Sequence, residues 1–125
     1  MKHVIKTNTA PEALGSYSQA ILANGLLFIS GQIGLKPGDE TLSGDFDTQT
    51  RQVFKNIEAV IEAAGGRVID LMKLTVFVTD LNHAKTFNDI MVELFEKPFP
   101  ARAMVEVSRL PKGALVEVEA IALLD

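Results

Sequence analysis

The chain contains no cysteine, which excludes disulfides and thiolate chemistry together and fits a reducing compartment. It has two histidines, His3 near the terminus and His83 at an expected helix start; both are expected at the surface. No cluster of positive charge is present. The 12 lysines and arginines are scattered singly against 16 acidic residues, for a net charge of -4. Nucleic acid is held by many phosphate contacts at once, so an unaided DNA- or RNA-binding role is disfavoured. No stretch approaches the ~20 apolar residues of a membrane span, and residues 1–8 lack the apolar run of a secretory signal. The expectation is a cytoplasmic protein with no membrane contact. No repeat, low-complexity tract or linker interrupts the sequence, and it offers no obvious metal site.

What remains is a single domain over residues 1–125, with 47% hydrophobic residues. At this length folding buries on the order of two thirds of the extended chain's surface, so a core needs no covalent staples. A short strand is expected at His3 to Lys6. Asn24-Gly25, between the apolar runs 18–23 and 26–30, accepts the positive φ angles of a type I′ hairpin turn. A loop is expected from Lys36-Pro37-Gly38-Asp39 through Gly44. The first helix should begin near Asp45 or Asp47 and stop at Gly65-Gly66. Val53, Phe54, Ile57, Val60, Ile61 and Ala64 recur at helical spacing, which makes one apolar face. Residues 71–79 alternate and are rich in β-branched side chains, the pattern of a strand. Asn82 caps a second helix with Phe87, Ile90, Met91 and Leu94 as its stripe, ended by Pro98 and Pro100. Strands at 101–109 and 114–124 close the chain as a second hairpin. The order β-β-β-α-β-α-β-β predicts an α+β two-layer domain, a mixed sheet with both helices on one face.

Strand parity assigns faces. With the two-residue turn, Gln19 opposes Ser30, and Tyr17 becomes the diagonal neighbour of Ser30 on one face, roughly 7–8 Å away. If the C-terminal strands form a hairpin, Ala103, Val105, Val107, Val116, Val118, Ala120 and Ala122 line the core. Arg102, Met104, Glu106, Glu117, Glu119 and Ile121 then share the uncovered face. Apolar residues mixed into that ionic face suggest burial against another subunit. In that pairing Arg102 opposes Ile121, four residues from Glu117 and roughly 13 Å along the strand. Either the register is bulged, or Arg102 of one subunit meets Glu117 of the next, and the second reading is favoured.

Several stretches resemble the RidA/YjgF family over essentially the whole length. They are Ala13-Leu14-Gly15-Ser16-Tyr17-Ser18-Gln19-Ala20, Ile29-Ser30-Gly31-Gln32, Ile61-Glu62-Ala63-Ala64-Gly65 and the run from Lys73 to Leu81. Further matches are Pro98-Phe99-Pro100-Ala101-Arg102, Val105-Glu106-Val107 and Val116 through Ala122. The resemblance implies a chorismate-mutase-like fold assembled as a homotrimer, with sites in the clefts between subunits. It implies hydrolysis of 2-imino acids and their enamine tautomers, such as 2-iminobutanoate and 2-iminopropanoate, to 2-oxo acids and ammonia. Such intermediates leave pyridoxal-phosphate-dependent serine and threonine dehydratases. No metal or organic cofactor is implied. Arg102 matches the arginine that grips the substrate carboxylate, a task suited to a planar fork of donors. Glu117 matches the carboxylate that positions or activates water. Tyr17 and Ser30 match pocket-lining residues, Gly31 a backbone N–H donor, and Asn88 a polar residue reaching the same cleft. Met104 departs from the pattern, since many members have cysteine there.

Plainer readings stand beside these. Arg102 could serve a structural ion pair, Tyr17 an interface, Ser30 and Gly31 a strand-end turn, and Asn88 a solvated helix position. Spacing cannot choose Glu117 over Glu119; the resemblance does. Rival functions are a non-catalytic module that captures 2-oxo acids, for which Arg102 alone suffices, and an endoribonuclease or translation inhibitor, as some relatives are described. A metal-free ribonuclease ordinarily needs an acid/base pair beside cationic phosphate holders, and neither histidine is so placed.

Overall fold

Asn24 and Gly25 both take left-handed backbone angles, with φ of 52° and 79°. They close a two-residue hairpin between β2 (Ala20–Ala23) and β3 (Leu26–Ile33). Positive φ at both central residues is what a type I′ turn requires, and its twist matches that of the strands it joins. Ala23 faces Leu26, as expected. The computed structural model describes residues 1–42 and 44–125; Ser43, within the loop expected through Gly44, lies outside the described residues. β1 (His3–Ile5) pairs antiparallel with β2.

The helix α1 (Phe46–Ala63) starts where the Asp45 carboxylate accepts from the Thr48 N–H at 2.9 Å, satisfying one of the donors a helix start leaves free. It ends at the glycine pair. There the Gly66 N–H donates to the Ile61 carbonyl and the Gly65 N–H to that of Glu62, both at 3.0 Å, the paired bonds of a Schellman cap. Its stripe of Val53, Phe54, Ile57, Val60 and Ile61 is buried. β4 (Leu71–Val78), α2 (Ala84–Leu94), β5 (Ala101–Glu106) and β6 (Val116–Leu123) follow. A bulge between Leu71 and Lys73 turns Leu71 inward and leaves Met72 exposed, where strict alternation would have grouped Met72 with Leu74. The carboxylate of Asp80, not Asn82, opens the second helical region, accepting from the Asn82 N–H at 2.9 Å. A short turn at 81–83 then leads into α2. His83 is half-buried rather than on the surface. Its ring stacks on Phe46 at 4.2 Å.

The sheet has six strands in the order β1-β2-β3-β6-β4-β5, and this overturns the expected C-terminal hairpin. β5 runs parallel to β4 at the sheet edge, while β6 lies antiparallel between β3 and β4. The reason lies in the connection. A strand, a helix and a strand joined by short links form a parallel crossover unit, so β4-α2-β5 is one such unit. β6 takes the centre because its inward residues Val116, Val118, Ala120 and Ala122 are all buried.

The change of partner inverts β5. Arg102, Met104 and Glu106 align with Leu74, Val76 and Val78, which are core residues, so they point to the helix side. Ala103 and Val105, expected in the core, are exposed on the other side. A strand's faces exchange when parity slips by one residue.

Asn56 fastens α1 to the end of β3. Fully buried, it donates through Nδ2 to the carbonyls of Ile33 at 3.1 Å and Leu35 at 2.9 Å. Replacing it with Leu strands both acceptors, and buried unpaired groups cost about 1–3 kcal/mol each. Asn56→Leu should therefore lower the melting temperature by roughly 5–15 °C, read by thermal denaturation followed by circular dichroism.

Candidate functional site

Glu117 projects from β6 on the helix-free side, between the buried Val116 and Val118, and aligns with Ile33 of β3 and Phe77 of β4. The β3–β6 ladder is interrupted between Ile29 and Gln32, so Ser30 and Gly31 together stand opposite the single residue Glu119. Such a bulge re-aims the backbone locally. A methyl group on Gly31 would overlap Glu117 Oε2 and stand 2.9 Å from its Cδ. A side chain at this position would push the Glu117 carboxylate aside, so glycine is what admits its close approach to the strand. Half-burial first, and the negative charge of Glu119 second, push the Glu117 carboxyl above its ordinary value, since both disfavour the anion.

Arg102 is held from the other layer. Its Nη1 donates to Asn88 Oδ1 at 2.7 Å, and its guanidinium lies 5.4 Å from the centre of the Phe87 ring. Adjacent residues of α2 thus give it one hydrogen bond and one cation–π contact. Among the described residues it enters no ion pair. A concavity of about 310 Å³ opens beside it, lined by Asn88, Met91, Val92, Phe99, Pro100 and Arg102. Parity had placed Arg102 on the same uncovered face as Glu117; the two lie on opposite faces. Arg102 aligns with Leu74 and Glu117 with Phe77, on strands flanking β4. Their backbones are therefore separated by about 10 Å along the sheet and about 10 Å across it.

Met104, expected on the uncovered face, is half-buried on the helix side and packs against the core. Tyr17 precedes β2, which begins at Ala20 rather than at Ser18, so the expected diagonal pairing with Ser30 has no strand to carry it. Tyr17 instead lines a concavity of about 440 Å³ with Lys6, Thr7 and Glu12. The Ser30 hydroxyl is engaged, donating to the Ser18 carbonyl at 2.5 Å. The expected residues therefore form two groups: Gly31 and Glu117 at the bulge, and Arg102 and Asn88 at the β5 edge. Phe87 went unnoticed as a site residue because its spacing marks it as core. Its position next to Asn88 on α2 becomes a signal only once β5 is known to face that helix. Among the described residues no three histidine, aspartate or glutamate side chains are grouped to hold a metal ion.

A six-stranded mixed sheet with two helices makes this an α+β domain of the chorismate-mutase-like class. The family model described as endoribonuclease L-PSP matches residues 7–124. The chain belongs to that family, the RidA/YjgF group its motifs resemble. A human protein named 2-iminobutanoate/2-iminopropanoate deaminase is 40% identical, covering 98% of this chain and 90% of its own length. A crystal structure of a Rid-family protein of unknown function from Yersinia pestis superposes with a TM-score of 0.96 at 50% identity, covering 99% and 100% of the two chains. Escherichia coli TdcF, solved with bound serine, gives 0.93 at 38% identity over 98% and 99%.

Carbon-detected NMR of the glutamate carboxyls tests the electrostatics. Glu117 should titrate above the ordinary glutamate value, and its midpoint should fall in Glu119→Gln, where the second negative charge is gone. A Glu117 midpoint unmoved by that substitution removes Glu119 as a cause.

Proposed function

We propose that the protein is a homotrimeric hydrolase of small 2-imino acids and their enamine tautomers, 2-iminobutanoate and 2-iminopropanoate among them, yielding 2-oxo acids and ammonia. The observation that carries this reading is the contact between the Glu117 carboxylate and the Gly31 backbone. A carboxylate with its proton affinity raised works closer to neutral pH as both base and acid. The name of the human relative supports the same chemistry.

In this mechanism Arg102 of one subunit binds the substrate carboxylate through the guanidinium fork, and Asn88 and Phe87 keep it aimed. Water adds to C2 of the iminium as Glu117 of a neighbouring subunit accepts its proton, giving a tetrahedral carbinolamine. Glu117 returns that proton to nitrogen. The C–N bond then breaks with its electron pair on nitrogen, and the remaining hydroxyl gives its proton to the released ammonia, which leaves as ammonium, to become the carbonyl. No cofactor enters any step. Within one chain the two groups cannot reach one small substrate, so the reading requires a second copy. The helix-free face suits that: Phe28 is 46% and Leu123 45% exposed there, a cost that covering would remove. A cytoplasmic setting, with small 2-imino and 2-oxo acids as partners, completes the proposal. The family's descriptive name points instead to ribonuclease action, but His83 is stacked against Phe46 and His3 stands in the exposed β1.

The test is ammonia release from 2-iminobutanoate generated in place by a dehydratase or an amino-acid oxidase. Arg102→Ala should abolish acceleration, and Glu117→Gln should lower kcat on the order of 10²-fold, with Glu119→Gln far milder. Gly31→Ala, which keeps the carboxylate but displaces it, should lower kcat/KM by at least about 10-fold. Folded trimer that gives no acceleration over the uncatalysed rate sinks the hydrolase. Loss of turnover in Glu117→Gln with 2-oxo-acid binding intact separates it from a pure binder.

A further inference from the structure

The segment from Lys6 to Gln19, between β1 and β2, contains no helix or strand. Segments of that length without regular structure are ordinarily mobile. This one is tied at its base by a single buried side chain. Gln19, 4% exposed, accepts from the Thr7 N–H through Oε1 at 2.7 Å. Its Nε2 donates to the carbonyls of Thr7 at 3.0 Å and Pro11 at 2.8 Å, with a longer contact to Ala10 at 3.4 Å. The carboxamide thus pairs with both backbone groups of Thr7, as a neighbouring strand would. No other side chain of this size offers an acceptor and two donors in one plane.

A second tie joins the same segment to the β3 bulge. The Ser30 hydroxyl donates to the Ser18 carbonyl at 2.5 Å, and the Ser30 N–H donates to the Gln19 carbonyl at 3.0 Å. The next residue, Gly31, is the one against which Glu117 rests. Between the ties stands Tyr17, 56% exposed. Its ring lies against Gly15, where an added methyl would be 3.3 Å from Cε1 and 3.4 Å from Cδ1. An exposed aromatic ring is therefore carried beside Gly15 on a segment that buried or short hydrogen bonds hold at both ends.

We infer that Gln19 is a positioning residue: its buried carboxamide, together with the Ser30 hydroxyl, holds Tyr17 in fixed relation to the β3 bulge and hence to Glu117. Ser30 accordingly acts through the segment it ties down rather than by touching substrate. The activity side of this inference rests on the proposed hydrolase reading; the structural side does not.

The chain has one tyrosine and no tryptophan, so its tyrosine fluorescence reports Tyr17 alone. In Gln19→Met, measured well below its melting temperature with an unchanged circular dichroism spectrum, the anisotropy should fall and iodide quenching should roughly double, as a locally loosened segment requires. Ser30→Ala should shift both in the same direction by less, and it carries the test if Gln19→Met does not fold. Imine hydrolysis supplies a double-mutant cycle. Gln19→Met should lower kcat/KM by about 10-fold when Tyr17 is present, and by less than about two-fold in a Tyr17→Ala background, as expected when one residue acts through the other. Unchanged anisotropy and quenching overturn the inference. So does an equal loss in both backgrounds, or full activity in Tyr17→Ala alone. A wild-type protein without imine hydrolysis defeats the hydrolase reading and leaves the fluorescence result to decide the positioning role.

Discussion

Among the described residues, the last strand is the one that binds the two halves of the sheet together, and the placement of everything else follows from it. β6 is hydrogen-bonded along both edges, to β3 on one side and β4 on the other. Its inward residues are two valines followed by two alanines, Val116, Val118, Ala120 and Ala122, all buried. The small alanines lie between the larger Leu27 and Ile29 of β3 and Leu71 and Leu74 of β4, while the valines align with Val76 and Val78 of β4. Without β6, the hairpin-plus-helix first half and the β4-α2-β5 second half share no ladder. The central pairings join positions far apart in sequence, the kind of contact that forms slowly because loop closure must precede it.

The β3 bulge is the second determining feature. Two residues opposite one on β6 leave Gly31 turned against the Glu117 side chain, and the absence of a Cβ there admits the carboxylate. Glu119, two residues along the same face, has no such shelter and acts only through its charge. Two chemically identical side chains are thereby made different by one glycine on a neighbouring strand. On the far side of the sheet, α2 aims Arg102 with a hydrogen bond from one residue and a ring face from the next.

What could be read from the sequence was what depends on near neighbours. The Asn24-Gly25 turn, the span of α1 from Asp45 to the glycine pair, and the alternation of β4 from Lys73 onward are set by local sterics and periodicity, and these hold; only the bulge at the start of β4 departs. The partners of β5 and β6 depend on contacts across the whole sheet. A turn-like Leu110-Pro111-Lys112-Gly113 between two strands looks like a hairpin whether or not they pair. That single misassignment carried Arg102 and Met104 to the wrong face, because parity is inherited from the assumed partner. Motif resemblance identified the family and singled out Arg102, Glu117 and Gly31, yet it carried no information on which face each occupies. The burial of His83 was equally hidden, since it depends on Phe46 at the opposite end of a long connection.

Arg102 and Glu117 stand on opposite faces of one sheet, and under the proposed cyclic assembly this changes how damage to one chain is counted. Each chain belongs to two sites, lending an arginine to one and a carboxylate to the other. A trimer with one chain lacking only Arg102 loses one site of three, whereas a chain lacking both groups silences two. Two defective chains, one missing each group, can still assemble a complete site wherever their intact halves meet. Inheritance of activity then follows the neighbour relations around the ring rather than the number of sound chains in it.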